Sequence, residues 1–192
     1  MIVADAARFA DAHPSFHLAG IFNQHYEMEV DLDVEGPGIF QGHGLSRGVP
    51  FNVRVVHGRT FLQGAARIEL EFGVRAAARV GERWVDITTG TRDPTLLDDL
   101  GGVSRLTALG SVLRHGATGA HKTSAAADAT SVIQVFLGDQ RLIGVTADQP
   151  ARVVSVSQSG HPVAIGAYDG AARVLAPPDP VPASTLFTAP VA

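Results

Sequence analysis

From residue 27 to residue 34 the chain alternates without interruption. Met28, Val30, Leu32 and Val34 are apolar, and Glu27, Glu29, Asp31 and Asp33 are acidic. A period of two with acid on every second position predicts a half-buried antiparallel strand, placed at 26–34 with Tyr26 on the apolar parity. Residues 15–22 set Phe16, Leu18 and Phe22 on one parity, and 49–56 alternate Phe51, Val53 and Val55 with Asn52 and Arg54. Weaker runs predict strands at 39–46, 60–63, 83–87, 118–124, 131–137, 141–147, 152–157, 163–167 and 171–175. Gly36-Pro37-Gly38, Arg47-Gly48, His57-Gly58, Gly138-Asp139 and Ser159-Gly160 supply turns between them.

Three stretches carry the helical period instead. Ile2, Val3, Ala6, Phe9 and Ala10 predict a helix over 2–12, ended by His13-Pro14. Residues 65–80 read as one helix stopped by Gly81, although Ile68, Leu70 and Phe72 also fit a strand. Asp93 as N-cap with Pro94 at the first helical position opens a leucine-rich segment. It is predicted to break at Gly101-Gly102, to resume through Leu106 and Leu109, and to close at Gly116. Pro177, Pro178, Pro180 and Pro182 predict a stiff extended segment over 177–192. Antiparallel runs interrupted twice by helices predict an α+β fold. One domain spans residues 1–192, with one large antiparallel sheet and helices on one face.

Composition narrows the function. With 192 residues, 45% of them apolar, the chain has ample material for a core. A net charge of −4 excludes a phosphate-tracking surface, so nucleic acid is not an expected partner. The absence of cysteine removes disulfides, Cys-ligated zinc, iron–sulfur clusters and thiol chemistry. The sequence has no apolar run of membrane-spanning length. Its start, Met1-Ile-Val-Ala-Asp, lacks the basic and apolar regions of a signal peptide. That leaves a cytoplasmic protein, or an envelope protein whose export segment lies upstream.

Candidate chemistry is sparse. The eight histidines (His13, His17, His25, His43, His57, His115, His121 and His161) show no dense ligand spacing and read as surface or turn residues. The acidic row at 27–33 lies in a line at roughly 6.5–7 Å intervals, with no cage for a cation. Gly42-His43-Gly44-Leu45-Ser46 is the nearest approach to a nucleophile turn, but it falls inside a strand. No catalytic residue, no metal ligand and no cofactor is expected. A hydrolase assembled only on folding from His17, His43 and Ser46 is the outlying alternative. What the sequence does supply is apolar surface. The inward strand parity and the leucine-rich segment face a common interior, either an ordinary core or a sheet curved around a cavity. The glycines of 36–48 favour curvature.

The order of motifs resembles the LppX/LprG-type lipoproteins of actinobacteria, relatives of the LolA/LolB lipoprotein carriers. The likeness rests on the short first helix running into Ser15-Phe16-His17-Leu18-Ala19-Gly20 and on the strand from Met28 to Val34. It continues through the passage from Gly36 to Leu62, the step Gly81-Glu82-Arg83-Trp84-Val85, the turn Gly160-His161-Pro162-Val163 and the close Ala176-Pro177-Pro178. Leu62-Gln63-Gly64 lacks the Tyr often found in that strand, and the chain shows neither the signal peptide nor the lipid-modified Cys of the family.

The resemblance implies a half-barrel, a curved antiparallel sheet with helices over its concave face. It also implies an apolar cavity that binds and moves acylated lipids or lipoglycans in the cell envelope without catalysis. Peripheral membrane association would come through an upstream lipid anchor. An acyl chain gains ~0.8 kcal/mol per buried methylene, so sixteen carbons bring roughly 12 kcal/mol of gross driving force. The expected cavity wall is Phe16, Leu18, Met28, Val30, Leu32, Phe51, Val53, Val55 and Phe61 from the strands. Leu97, Leu100, Val103, Leu106 and Leu109 join it from the helical cover. Each serves equally well as ordinary core. A protein-interaction domain with a filled core, using the acidic row and the proline-rich segment as contact surfaces, is the competing expectation.

Overall fold

The computed structural model describes residues 2–23, 27–123, 132–137, 141–158, 161–170 and 173–187. Helix α1 (Ile2–Ala12) buries Ala6, Ala7 and Ala10. Five strands follow: β1 (Phe16–Asn23), β2 (Glu27–Gly36), β3 (Ile39–Ser46), β4 (Val49–Val56) and β5 (Arg59–Gln63). Helices α2 (Ala65–Phe72) and α3 (Val74–Val80), strand β6 (Val85–Asp86), and helices α4 (Pro94–Leu106) and α5 (Leu109–Gly116) come next. Then come β7 (Ala117–Thr123), β8 (Val132–Leu137), β9 (Arg141–Thr146), β10 (Val153–Gln158), β11 (His161–Gly166) and β12 (Val181–Pro182), with a 3-10 turn at Ala183–Thr185.

All the strands join one sheet in the order β12-β6-β5-β4-β3-β2-β1-β11-β10-β9-β8-β7. Among the described residues only the β12–β6 pair is parallel. The sheet is two meanders sutured where β1 pairs with β11. Strands β6 and β7 stand near opposite ends of it, so the chain between them must cross a face. It crosses the apolar one: the buried residues of α4 and α5 share a single cluster with the inward residues of both meanders. The fold is therefore α+β with a large, mostly antiparallel sheet.

Two-residue turns set the strand parity. Arg47 and Gly48 take positive φ between β3 and β4, as do His57 and Gly58 between β4 and β5. Such turns match the strand twist. They align Ile165, Leu18, Leu32, Gly42, Val53, Leu62 and Val85 as one row across seven strands. Gly42 is the gap in that row. A Cβ there would lie 2.1 Å from Asp31 O and 2.9 Å from Leu32 Cα, so β2 and β3 approach closely only because the position is bare.

Four expectations need correction. The predicted helix over 65–80 is two helices, because Gly73 at φ 90 ends one and starts the next. The helix opened by Asp93 runs through Gly101-Gly102 and stops instead at Thr107, whose hydroxyl donates to Ser104 O and accepts the Gly38 N–H. A glycine in a helix is a cost, not a stop. Gly102 is buried within it. The strand at 83–87 contracts to Val85–Asp86, and 173–175 form no strand.

The proline-rich segment is not a free tail. Val174 N–H donates to Glu35 Oε2 at 2.6 Å, Arg54 Nη1 donates to Leu175 O at 3.2 Å, and Val181 N–H donates to Trp84 O at 2.8 Å. It thus straps the outer sheet face, adds β12 at the edge and delivers Ala183 and Leu186 into the main core. Expectations placed on His25, Tyr26, Ser124, Ser131, Gly138-Asp139, Ser159-Gly160, Ala171 and 188–192 lie outside the described residues.

Candidate ligand-binding interior

The space between sheet and helices is where the expected wall residues meet. Phe16, Leu18, Met28, Val30, Leu32, Phe51, Val53, Val55, Leu100, Val103, Leu106 and Leu109 belong to one cluster, each at most 6% exposed, and Leu97 packs against it partly buried. Phe61 does not join them. The His57-Gly58 turn places Val56 opposite Arg59, which puts Leu62 beside Val53 on the inner face and Phe61 beside Arg54 on the outer one. Phe61 is nevertheless fully buried, as is Val174 nearly so, on the face that the 173–183 strap crosses. Arg59 lies over its ring, 4.8 Å from the centroid. The inner exposures are those of a closed interior, in which protein atoms meet protein atoms.

One polar group interrupts this greasy lining. Helix α2 carries Ile68 and Phe72 four residues apart, and Arg67 and Glu71 at the same spacing one position earlier. All four are buried. Arg67 Nη2 donates to Glu71 Oε1 at 2.6 Å and lies 3.4 Å from Asp93 Oδ2. Glu71 Oε2 accepts from Thr91 Oγ1 at 2.8 Å and from Asp93 N–H at 3.2 Å. Asp93 caps α4 by accepting the Thr95 N–H at 3.1 Å, and Arg47 Nη2 stands 3.5 Å from its Oδ2. Burial by itself would raise the Asp93 carboxyl. The hydrogen bond from Thr95 and the charges of Arg47 and Arg67 outweigh it and hold the group below the usual carboxylate range. The network ties α2, the turn before α4 and the β3–β4 hairpin together. It leaves Arg67 Nε and Nη1 buried with no hydrogen-bond partner among the described residues. The Arg67 guanidinium carbon is 5.9 Å from the centroid of Phe51, a residue of the common cluster. Sequence reading missed this group. Its signal was a charged pair at four-residue spacing adjoining an apolar stripe on the same helix.

The outer face is polar. His17 bridges the acidic row, with Nδ1 3.1 Å from Asp33 Oδ1 and Nε2 3.4 Å from Asp31 Oδ1, and His43 Nε2 stands 3.9 Å from Asp31 Oδ2. A groove of about 400 Å³ runs beside them, lined by Ile21, Glu29, Asp31, His43, Leu45 and Pro50 among others. Among the described residues no group of three or more His, Asp or Glu is arranged to hold a metal ion. The three side chains considered for a hydrolase are not brought together. Ser46 is buried on the inner parity while His17 and His43 lie on the outer one. His13 is engaged at the far end of β1, stacked on Phe9 at 4.2 Å and 2.5 Å from Asp169 Oδ2. No helix in the described residues is long and apolar enough to cross a membrane.

No family model, no curated protein and no solved structure matches this chain.

Proposed function

We propose that the chain binds an acylated lipid, non-enzymatically, between the inner face of the sheet and helices α2–α5, as a carrier domain of the cell envelope. The observation that carries this reading is the roof. Two meanders present one continuous apolar face, and it is covered not by a second sheet but by short helices, the longest of 13 residues. A half-barrel, with helices α4 and α5 on its concave side, is the sheet shape this reading expects. A ligand then enters by displacing a roof helix. Helix α2 is suited to this, since Gly64 and Gly73 bound it in backbone conformations that other residues rarely adopt.

The second reading, a filled core serving as a structural or protein-interaction domain, is favoured by the near-zero exposure of the wall residues. Native mass spectrometry of gently purified protein, with organic extraction and analysis of any retained lipid, separates the two. Co-purifying acylated lipid, rebound after removal, is the expected result. Protein that is lipid-free and takes up no fluorescent fatty acyl probe belongs to the second reading. Cell fractionation of the source organism tests the envelope placement independently.

A further inference from the structure

Four large apolar side chains stand exposed among the described residues: Leu70 at 52%, Val74 at 65%, Phe187 at 41% and Leu175 at 57%. Three of them gather at one place. Leu70 and Val74 flank Gly73, the joint between α2 and α3, and Phe187 packs edge-on to Phe72, with ring centroids 5.3 Å apart. Both helices already bury their other side, through Ile68 and Phe72 of α2 and Ala76, Ala77 and Val80 of α3. A helix that is apolar on both sides belongs under cover. Single exposed leucines are ordinary on a protein surface, whereas a cluster of apolar side chains marks a contact.

Charge says what the cover is. Arg75 and Arg79 are exposed on α3, Arg83 is exposed just beyond it, and Arg92 lies over the Phe187 ring, 5.8 Å from its centroid. The arginines in ion pairs among the described residues are Arg8, Arg47, Arg59, Arg67 and Arg114, and none of these four. The exposed carboxylates of the same stretch are Glu69 and Glu82. Four cations against two anions leave this surface positive in a chain whose net charge is −4. A specific protein partner needs roughly 800 Å² from each side, and three half-exposed side chains fall far short of that. A bilayer sets no such threshold. A few apolar side chains enter the acyl boundary, while arginine heads on long stems meet anionic headgroups.

We propose that the face formed by Leu70, Val74 and Phe187 with Arg75, Arg79 and Arg92 docks on an anionic lipid surface. The contact is made by the chain's own side chains and requires no lipid modification. It goes beyond the carrier reading and does not depend on what occupies the interior between sheet and helices.

The test sediments the full chain with sucrose-loaded vesicles of phosphatidylcholine and phosphatidylglycerol, two to one, and with phosphatidylcholine alone, over a series of salt concentrations. Binding to the mixed vesicles is expected to be about tenfold or more tighter than to phosphatidylcholine, and to weaken with salt. Leu70→Ser with Val74→Ser is expected to lose about tenfold or more. Arg75→Gln with Arg79→Gln is expected to lose as much, since each arginine near such a surface is worth about fivefold. Leu175→Ser alters the exposed side chain away from this face and is expected to leave binding within about twofold. Brominated lipid in the mixed vesicles is expected to quench Val74→Trp more strongly than the native chain, whose one tryptophan is Trp84. No binding to the mixed vesicles, binding untouched by the Leu70 and Val74 substitutions, or an equal loss in Leu175→Ser overturns the proposal. So does a dimer in sedimentation velocity that the same two substitutions dissolve, which gives the face to a second copy. Lipid drawn into the interior stays with unpelleted protein, so lipid uptake without sedimentation overturns the docking and spares the carrier reading.

Discussion

Gly42 shows how a single bare position governs the sheet. Its φ of 154 and the 2.1 Å approach of Asp31 O to the site of a Cβ leave no adjustment short of parting β2 from β3. Gly42→Ala is expected to cost at least about 3 kcal/mol, beyond the ordinary range for a surface-sized change, measured as the loss of the urea midpoint at constant slope. Asp93 carries a different liability. Its folded carboxyl lies below the unfolded value of about 3.9, so the stabilisation it gives is complete above that pH and is lost as pH falls below about 4. Asp93→Asn removes this acid sensitivity and lowers stability at pH 7, readable by circular dichroism across an acid series. An unchanged acid midpoint would refute that role. At this scale the interior was largely legible. Thirteen of the fourteen expected wall residues lie in or against the common cluster. Phe61 was misplaced by one position, yet the information was present: a two-residue turn at His57-Gly58 makes Val56 oppose Arg59 and therefore Val53 oppose Leu62. Arg67 was not legible, because its burial depends on Asp93 and on the roof, neither of which is close in sequence.

Elements were easier to detect than to delimit. The alternation of β2 and the cap of α4 were readable because each is a local pattern enforced by local chemistry. The break at Gly73 was not, since Ile68, Phe72, Ala76 and Ala77 keep an apolar stripe through it. There φ 90 with ψ 164 is a conformation essentially reserved for glycine. Gly73→Ala is expected to destabilise by about 1–3 kcal/mol and to shift the α2–α3 hinge, seen as altered amide exchange in 65–80. The C-terminal segment was read as extended from its prolines, whereas it pairs at Val181–Pro182 and turns at Ala183–Thr185, because prolines say nothing about where a chain docks. Its anchor is Leu186, 7% exposed in the main core. Leu186→Ala is therefore expected to cost about 2–4 kcal/mol, whereas a free tail would tolerate it. A change below half a kcal/mol, roughly the surface level, would mean that the strap is not structural.

For the molecule as a whole, the sequence announced its antiparallel runs through successive short turns, and each hairpin followed. The suture of β1 to β11 joins strands nearly the whole chain apart, and no local signal encodes it. The crossing of α4 and α5 follows once that suture is known, because it sends β6 and β7 to opposite ends. Both meanders and every helix contribute to one cluster, so the chain is expected to unfold in a single cooperative step. A ligand held between roof and sheet then stabilises all of it at once. At a hundredfold excess over its dissociation constant the gain is about 2.7 kcal/mol, and for a chain of this size each kcal/mol moves the midpoint by about 2–4 °C. Monopalmitoylglycerol is therefore expected to raise the calorimetric midpoint by roughly 5–10 °C, still climbing with concentration and keeping one transition. A midpoint indifferent to the lipid, in a protein that also retains none on purification, is what a solid core requires. Two separated transitions would instead show that roof and sheet do not share the interior on which a carrier depends.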